Sequence, residues 1–360
     1  MAKVSKAPRG RVLVTGAAGC VGHQLVRELS SRGYEVTALD MPGSMLESGQ
    51  GIHPLEADLT AEGVPERAVA GADAVVHLAA VVDIAASFEV LAPINLEATK
   101  RLYQAAKAAS ARHFVFFSTG SAYAPSDRPL REDMPLFPSN DYVRTKIEAE
   151  QWLLAQEGGP VVNIIRPALI FGPRGKVLAA SLATVPVMLK AVGGLAIPIQ
   201  GGPRSNWVHG EDVARAAAFL LANPAPHGSA FNVANDDPVS VGDVFTTAFR
   251  VAGLKLLPVG VPYPTKAVKL LMPWITKDAI LGPVHAAAGL IFNIATARAG
   301  VKSPLRPRLD REAFDFAVHD VIFDNSRLKA MGFSYRYPTF EEGWRATYEW
   351  YVKNRWIPGD

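Results

Sequence analysis

The sequence predicts an α/β chain built on a doubly wound parallel sheet, and three observations predict it. Short β-branched and apolar runs alternate with helical patterns through the first half of the 360 residues. The first of those runs ends in a glycine-rich turn that opens a helix. After about residue 170 the alternation gives way to frequent Pro and Gly and to two long apolar segments, 177–200 and 265–297. Strands that alternate with helices make a parallel sheet covered on both faces.

In order, residues 11–15 (RVLVT) read as the first strand, and an amphipathic pattern from Val21 to Ser31 as the helix after it. Gly33 breaks that helix, and Tyr34 to Leu39 forms a second strand ending at Asp40. Together they have the size of a βαβ unit. Ala74 to Leu78, His113 to Phe117 and Val161 to Ile165 are further strands, and Asn95 to Ala109 is helical. The expected organisation is a tail at 1–10 and a dinucleotide domain at 11–175 with contributions from about 205–235. An interleaved, smaller and mostly helical substrate-binding region fills 176–360.

Composition narrows the function. Hydrophobic residues make up 49% and charged residues 20%, which is a folded, globular balance. A formal charge of +3 does not argue for nucleic acid, and none is expected as a partner. Cys20 is the one cysteine, so no intrachain disulfide forms. The run Val12 to Val14 is too short for a signal peptide, and a cytoplasmic location is expected. No metal site is expected.

Glycines 16, 19 and 22 in TGAAGCVG (15–22) are spaced G-x-x-G-x-x-G. Gly16 permits the tight turn out of the strand, Gly19 lets backbone approach a pyrophosphate, and Gly22 lets the helix pack on the sheet. Cys20 and Val21 complete the turn, and the helix N-terminus adds its dipole. Asp40 follows the second strand, where a carboxylate can accept hydrogen bonds from ribose hydroxyls. It would repel a 2′-phosphate, so NAD is favoured over NADP.

Tyr142 and Lys146 stand at i and i+4 at the start of a helical run. An adjacent ammonium favours the phenolate, and such a tyrosine can take a hydroxyl proton while hydride leaves the carbon. Ser118, Thr119 and Ser121, at the end of the His113 strand, supply hydroxyls for the substrate oxygen.

These residues together resemble the extended short-chain dehydrogenase/reductase superfamily, on its Rossmann-type fold. The matching pieces are TGAAGCVG, Asp40, Asp58-Leu59, His77-Leu78-Ala79-Ala80, Asn95, FFSTGSAY (116–123), Tyr142-x-x-x-Lys146 and RPALIFGP (166–173). The resemblance implies an NAD-dependent oxidoreductase acting on a CH–OH group. It places Asp58 and Leu59 beside the adenine, and Leu78, Ala79, Ala80 and Ser118 along the cofactor. Pro167 and Ile170 fall at the nicotinamide, Lys146 on its ribose, and Asn95 near that lysine. Counting from Tyr123, the family's Ser/Thr position is Thr119. Ser121, Val82 and Trp207 are the expected substrate contacts. The superfamily also leaves a homodimer open.

Two branches compete. Nucleotide-sugar epimerases and dehydratases carry an arginine where this chain has Ser205, with Arg204 one residue off. The pattern Asn206-Trp207-Val208, the stretch Phe323 to Phe333 and Phe340 to Trp344 resemble the 3β-hydroxysteroid and sterol-4α-carboxylate dehydrogenase branch. The apolar C-terminal half also suits a sterol or lipid better than a sugar. The favoured expectation is oxidation of a large apolar secondary alcohol, with decarboxylation where a 4α-carboxylate is present. The alternatives are a sugar epimerase or dehydratase, and a reductase of a 3-oxo lipid. Between Asp278 and Arg298 no residue carries a formal charge apart from a protonated His285, and Arg298, Lys302, Arg306, Arg308 and Arg311 follow. That stretch reads as a core helix, as a peripheral membrane contact through 265–311, or as a span broken by Gly282 and Pro283.

Overall fold

A computed structural model describes residues 9–177, 179–275, 277–307 and 316–359. Most of the tail, and Arg308 and Arg311, lie outside the described residues.

Alternation of apolar side chains along each strand decides the architecture. Val12 and Val14 of β1 (Arg11–Thr15) face one core and Leu13 the other. Val76 and Val75 of β4 (Ala74–His77) divide the same way, as do Val115 and Phe114 of β5 (His113–Phe117). A strand with two apolar faces must be covered on both. Helices α1 (Gly22–Ser31) and α7 (Gly210–Ala222) cover the first face. Helices α2 (Val64–Val69), α3 (Phe88–Ala92), α4 (Ala98–Ala108) and α5 (Asp141–Leu154) cover the second.

With β2 (Glu35–Asp40), β3 (Ile52–Glu56), β6 (Val161–Pro167) and β9 (Ser229–Val233), the sheet has seven parallel strands in the order β9-β6-β5-β4-β1-β2-β3. The order reverses between β1 and β4, so loops leaving those two strands diverge and open a crevice at their C-terminal ends. Strand β3 carries Pro54 at the sheet edge, where a missing N–H costs no ladder bond. The helix expected from Asn95 begins as a π-helical turn, Pro93–Glu97, before α4.

Beyond β6 the chain builds a second packing centre. Short β7 (Leu169–Phe171) pairs with β8 (Trp207–His209). Phe171, Trp207, Phe292, Phe340 and Trp344 form its core, between α6 (Ala179–Ala191), α8 (Val241–Val251) and the C-terminal helix Phe340–Lys353.

The segment 265–297 forms α9 (Thr265–Ile275) and α10 (Asp278–Arg298). Ala279–Arg298 is long and apolar enough to cross a membrane, with mean hydropathy 1.5. Leu281, Phe292 and Thr296 face inward, whereas Leu270 is 75%, Trp274 60% and Leu290 62% exposed. An entirely buried core helix is therefore not what this segment makes.

Candidate active site

The glycine turn sits at the reversal point. Gly16 has φ +70°, and a Cβ there would lie 2.9 Å from the Ala79 nitrogen. A Cβ on Gly22 would come within 2.0 Å of the Gly16 carbonyl oxygen, which real side chains never do. The turn is thus closed to side chains at both ends. Val21 is buried beneath it, and burial pushes the Cys20 thiol up to about 12.

At the end of β2, the Asp40 carboxylate accepts hydrogen bonds from the Ala18 N–H at 2.8 Å and from the Met41 N–H at 2.8 Å. It ties the second strand to the glycine turn. Asp58 accepts from the Thr60 N–H (2.8 Å) and hydroxyl (2.7 Å), and the hydroxyl bond holds its carboxyl below the ordinary range. Leu59 packs in the second core. Leu78, Ala79 and Ala80 form a half-buried wall after β4, and Val82 beyond it is exposed.

Helix α5 carries Tyr142 and Lys146. Asn140 caps it by accepting the Val143 N–H at 2.9 Å, which fixes where the helix starts and so which face the pair occupies. Lys146 is 2% exposed, with Nζ 4.2 Å from the centre of the Phe116 ring. Burial lowers it to about 7, and Glu150, one turn on, partly opposes that shift. Tyr142 is half-buried against Ala122, Val143 and Ile147, so the Thr119 turn and the first turn of α5 pack together.

The Thr119 Oγ1 accepts the Ser121 N–H at 3.2 Å, which leaves its hydroxyl hydrogen to donate. Ser118 Oγ is buried without a partner among the described residues, and Ser121 is exposed. Pro167 ends β6 in the core, and Ile170 is half-buried on β7. A Cβ on Gly120 would meet the Pro167 carbonyl oxygen at 2.4 Å, so this turn too needs glycine.

Trp207 is a core residue. Its ring lies 6.1 Å from Phe171 and 5.3 Å from Phe340. The Arg204 guanidinium donates to the Pro238 carbonyl at 3.2 and 3.3 Å, while Ser205 is buried.

Two polar networks here were not expected from the sequence. Arg166 forms a buried pair with Glu150 and donates to the Tyr123 hydroxyl at 3.0 Å, and Tyr123 bonds Asn232 at 2.5 Å. The second runs through Thr15, His77, Thr99 and Asn95. The one cue in the sequence was Glu150, four residues past Lys146 on the same helical face.

A family model described as the NAD dependent epimerase/dehydratase family matches residues 12–234, more than half of the chain. The chain is 30% identical over 261 residues to the 3 beta-hydroxysteroid dehydrogenase/Delta 5-->4-isomerase of Mycobacterium tuberculosis, covering 68% of this chain and 70% of that one. It is 31% identical over 273 residues to a UDP-glucose 4-epimerase of Mycolicibacterium smegmatis, covering 68% and 83%. The structure of MoeE5 in complex with UDP-glucuronic acid and NAD superposes with a TM-score of 0.69 over 96% of this chain and 100% of that one, at 24% identity, a likeness of fold. The residues present fit the dinucleotide. The turn excludes side chains where a pyrophosphate needs backbone, the Asp40 carboxylate lies against that turn at the end of β2, and the Ser118 hydroxyl, without a partner among the described residues, is buried at the end of β5. The chain belongs to the NAD dependent epimerase/dehydratase family, and it is an NAD-dependent enzyme of the oxidoreductase type.

Proposed function

We propose that the protein oxidises a secondary alcohol on a large apolar substrate, a 3β-hydroxysterol or a sterol 4α-carboxylate. The observation that carries this reading is the fate of residues 204 and 205. A sugar diphosphate asks for a bidentate guanidinium, and here Arg204 is spent on a backbone carbonyl while Ser205 is buried. The apolar surface of α9 and α10 and the steroid-dehydrogenase name of the M. tuberculosis relative support the same side.

Bound NAD supplies the hydride acceptor. The chain's part is to hold and deprotonate the alcohol. Thr119 donates a hydrogen bond to the substrate oxygen, and Tyr142 takes its proton. Lys146 holds the nicotinamide ribose and favours the phenolate of Tyr142. Asp40 selects the dinucleotide by its ribose hydroxyls. Ser121 and Val82, both exposed beside this centre, meet the substrate.

The exposed apolar faces of α9 and α10 suit the membrane in which such a substrate partitions, in a peripheral mode. Phe292 and Leu281 anchor α10 to the fold, and a span would strip them from their core.

The test is NADH formation by purified protein with NAD and a panel of 3β-hydroxysterols, beside UDP-sugars, with Tyr142→Phe as control. Sterol-dependent NADH that vanishes in Tyr142→Phe is expected. Interconversion of UDP-sugars without net NADH would replace this reading with epimerisation, and turnover only of a 3-oxo lipid with NADH would reverse its direction.

A further inference from the structure

The last residues of β1 and β4, Thr15 and His77, are register partners, and both are fully buried. The Thr15 Oγ1 lies 2.7 Å from His77 Nδ1, and the Thr99 Oγ1 lies 2.8 Å from His77 Nε2. One ring therefore bridges two threonines on opposite sides of the crevice.

The proton on the ring follows from the bonds around it. The Thr99 hydroxyl donates its single hydrogen to the Asn95 carbonyl at 2.8 Å, so toward His77 it can only accept. Nε2 then carries the hydrogen. Nδ1 is bare and accepts from the Thr15 hydroxyl, whose oxygen accepts the Ala79 N–H at 3.2 Å. Each group is used once. A proton on Nδ1 as well would leave the Thr15 hydroxyl hydrogen without this acceptor. Burial, followed by the charge of Lys146, lowers His77 to about 3, which agrees.

Both ends of this chain reach the machinery already described. On one side Thr15 precedes Gly16 and holds Ala79, the residue against which Gly16 packs. On the other, Asn95 accepts the Val81 N–H at 2.8 Å and donates to the Thr145 hydroxyl at 3.2 Å. Thr145 in turn donates to the Tyr142 carbonyl at 2.7 Å. Asn95 sits in the π-helical turn, whose widened backbone sets its place relative to α5.

We propose that His77 is a positioning residue that fixes the spacing between the dinucleotide turn and the Tyr142–Lys146 helix. It touches neither cofactor nor substrate. The inference rests on the reading that the glycine turn binds NAD and that α5 carries the catalytic pair.

The two ring nitrogens can be tested separately. In His77→Asn the amide oxygen can take the place of Nδ1 and keep Thr15, while Thr99 loses its partner. In His77→Gln the amide nitrogen can take the place of Nε2 and keep Thr99, while Thr15 loses its partner. Two readouts that need no substrate follow the two sides. NADH affinity, from fluorescence on binding, reports the turn. The acetylation rate of buried Lys146, read by mass spectrometry, reports the seating of α5. His77→Gln is expected to weaken NADH about tenfold and leave Lys146 labelling unchanged. His77→Asn is expected to speed Lys146 labelling about tenfold and leave NADH affinity within about twofold. Both variants moving both readouts in parallel with their melting temperature would overturn the proposal and leave His77 as general core. Both readouts unmoved would overturn it as well. If the unsubstituted protein binds no NADH, the cofactor reading itself fails and takes this inference with it.

Discussion

The network across β1, β4 and α5 and the C-terminal core treat buried polar groups in different ways, although His23, Tyr103, His113 and Ser118 leave unpartnered atoms elsewhere around the sheet among the described residues. Around β1, β4 and α5, the side chains of Thr15, His77, Asn95, Thr99 and Thr145 are all buried and each has its hydrogen bonds. In the C-terminal core the Trp207 and Trp344 indole nitrogens, His209 Nε2 and Asn235 Nδ2 have no partner among the described residues. The first region is held by directional bonds that permit one arrangement. The second is held mainly by apolar area, which tolerates rearrangement, and it continues outward into exposed Leu270, Trp274 and Leu290. A shared cofactor demands fixed geometry, whereas a bulky apolar substrate or a bilayer asks for surface. On the proposed reading, the first half carries the invariant step and the second the specificity.

The contrast can be broken most forcefully at Glu150. Glu150→Ala leaves the Arg166 guanidinium buried and unpaired, and should cost about 3–5 kcal/mol in a denaturation experiment. A loss under about 1 kcal/mol would mean that the directional network is not what holds this half. Next in size is Gly22→Ala. Its methyl collides with the backbone of Gly16, so a loss of about 1–3 kcal/mol and weakened NADH binding are expected together. Unchanged NADH affinity would place the dinucleotide elsewhere.

The pH dependence is smaller and cuts across both halves. Burial lowers His23 to about 4, and His77 and His209 to about 3 each, against 6.5 in the unfolded chain. Between those values only the unfolded chain binds the protons. Stability is therefore full above pH 6.5 and falls as pH drops toward 3. His77→Gln should make the slope of stability against pH shallower in that window by one proton, and an unchanged slope would contradict a neutral buried ring. The smallest expected effect lies on α9. Reversing Lys266 and Lys269 to Glu should cut binding to phosphatidylserine-containing vesicles, by about 1 kcal/mol for each charge removed, without moving NADH affinity. Equal binding to neutral and anionic vesicles would leave only the apolar contribution.

The scaffold was legible in the sequence where its cause is local. Short apolar and β-branched runs marked β1, β4 and β5, and the glycine turn and the Tyr142–Lys146 spacing depend on neighbours a few residues apart. Strand β3 was not read, because IHPLE has a proline and no clean alternation, and only its edge position makes it a strand. The His77 chain was out of reach too. It joins residues 62 and 22 positions apart, and no spacing rule connects them. The packing of Trp207 was out of reach for the same reason, because the partners that bury it, Phe340 and Trp344, lie more than a hundred residues later.

If this dinucleotide scaffold oxidises an apolar secondary alcohol, hydride must pass from the carbinol carbon to NAD, and an isotope on that carbon follows it. A 3β-hydroxysterol deuterated at the carbinol carbon, incubated with NAD and the protein, should give deuterated NADH and the ketone, with at least a hundredfold loss, on the order of that for a missing acid–base group, in Tyr142→Phe. Deuterium that stays on the sterol, while a UDP-sugar inverts its configuration under the same conditions, would contradict the account.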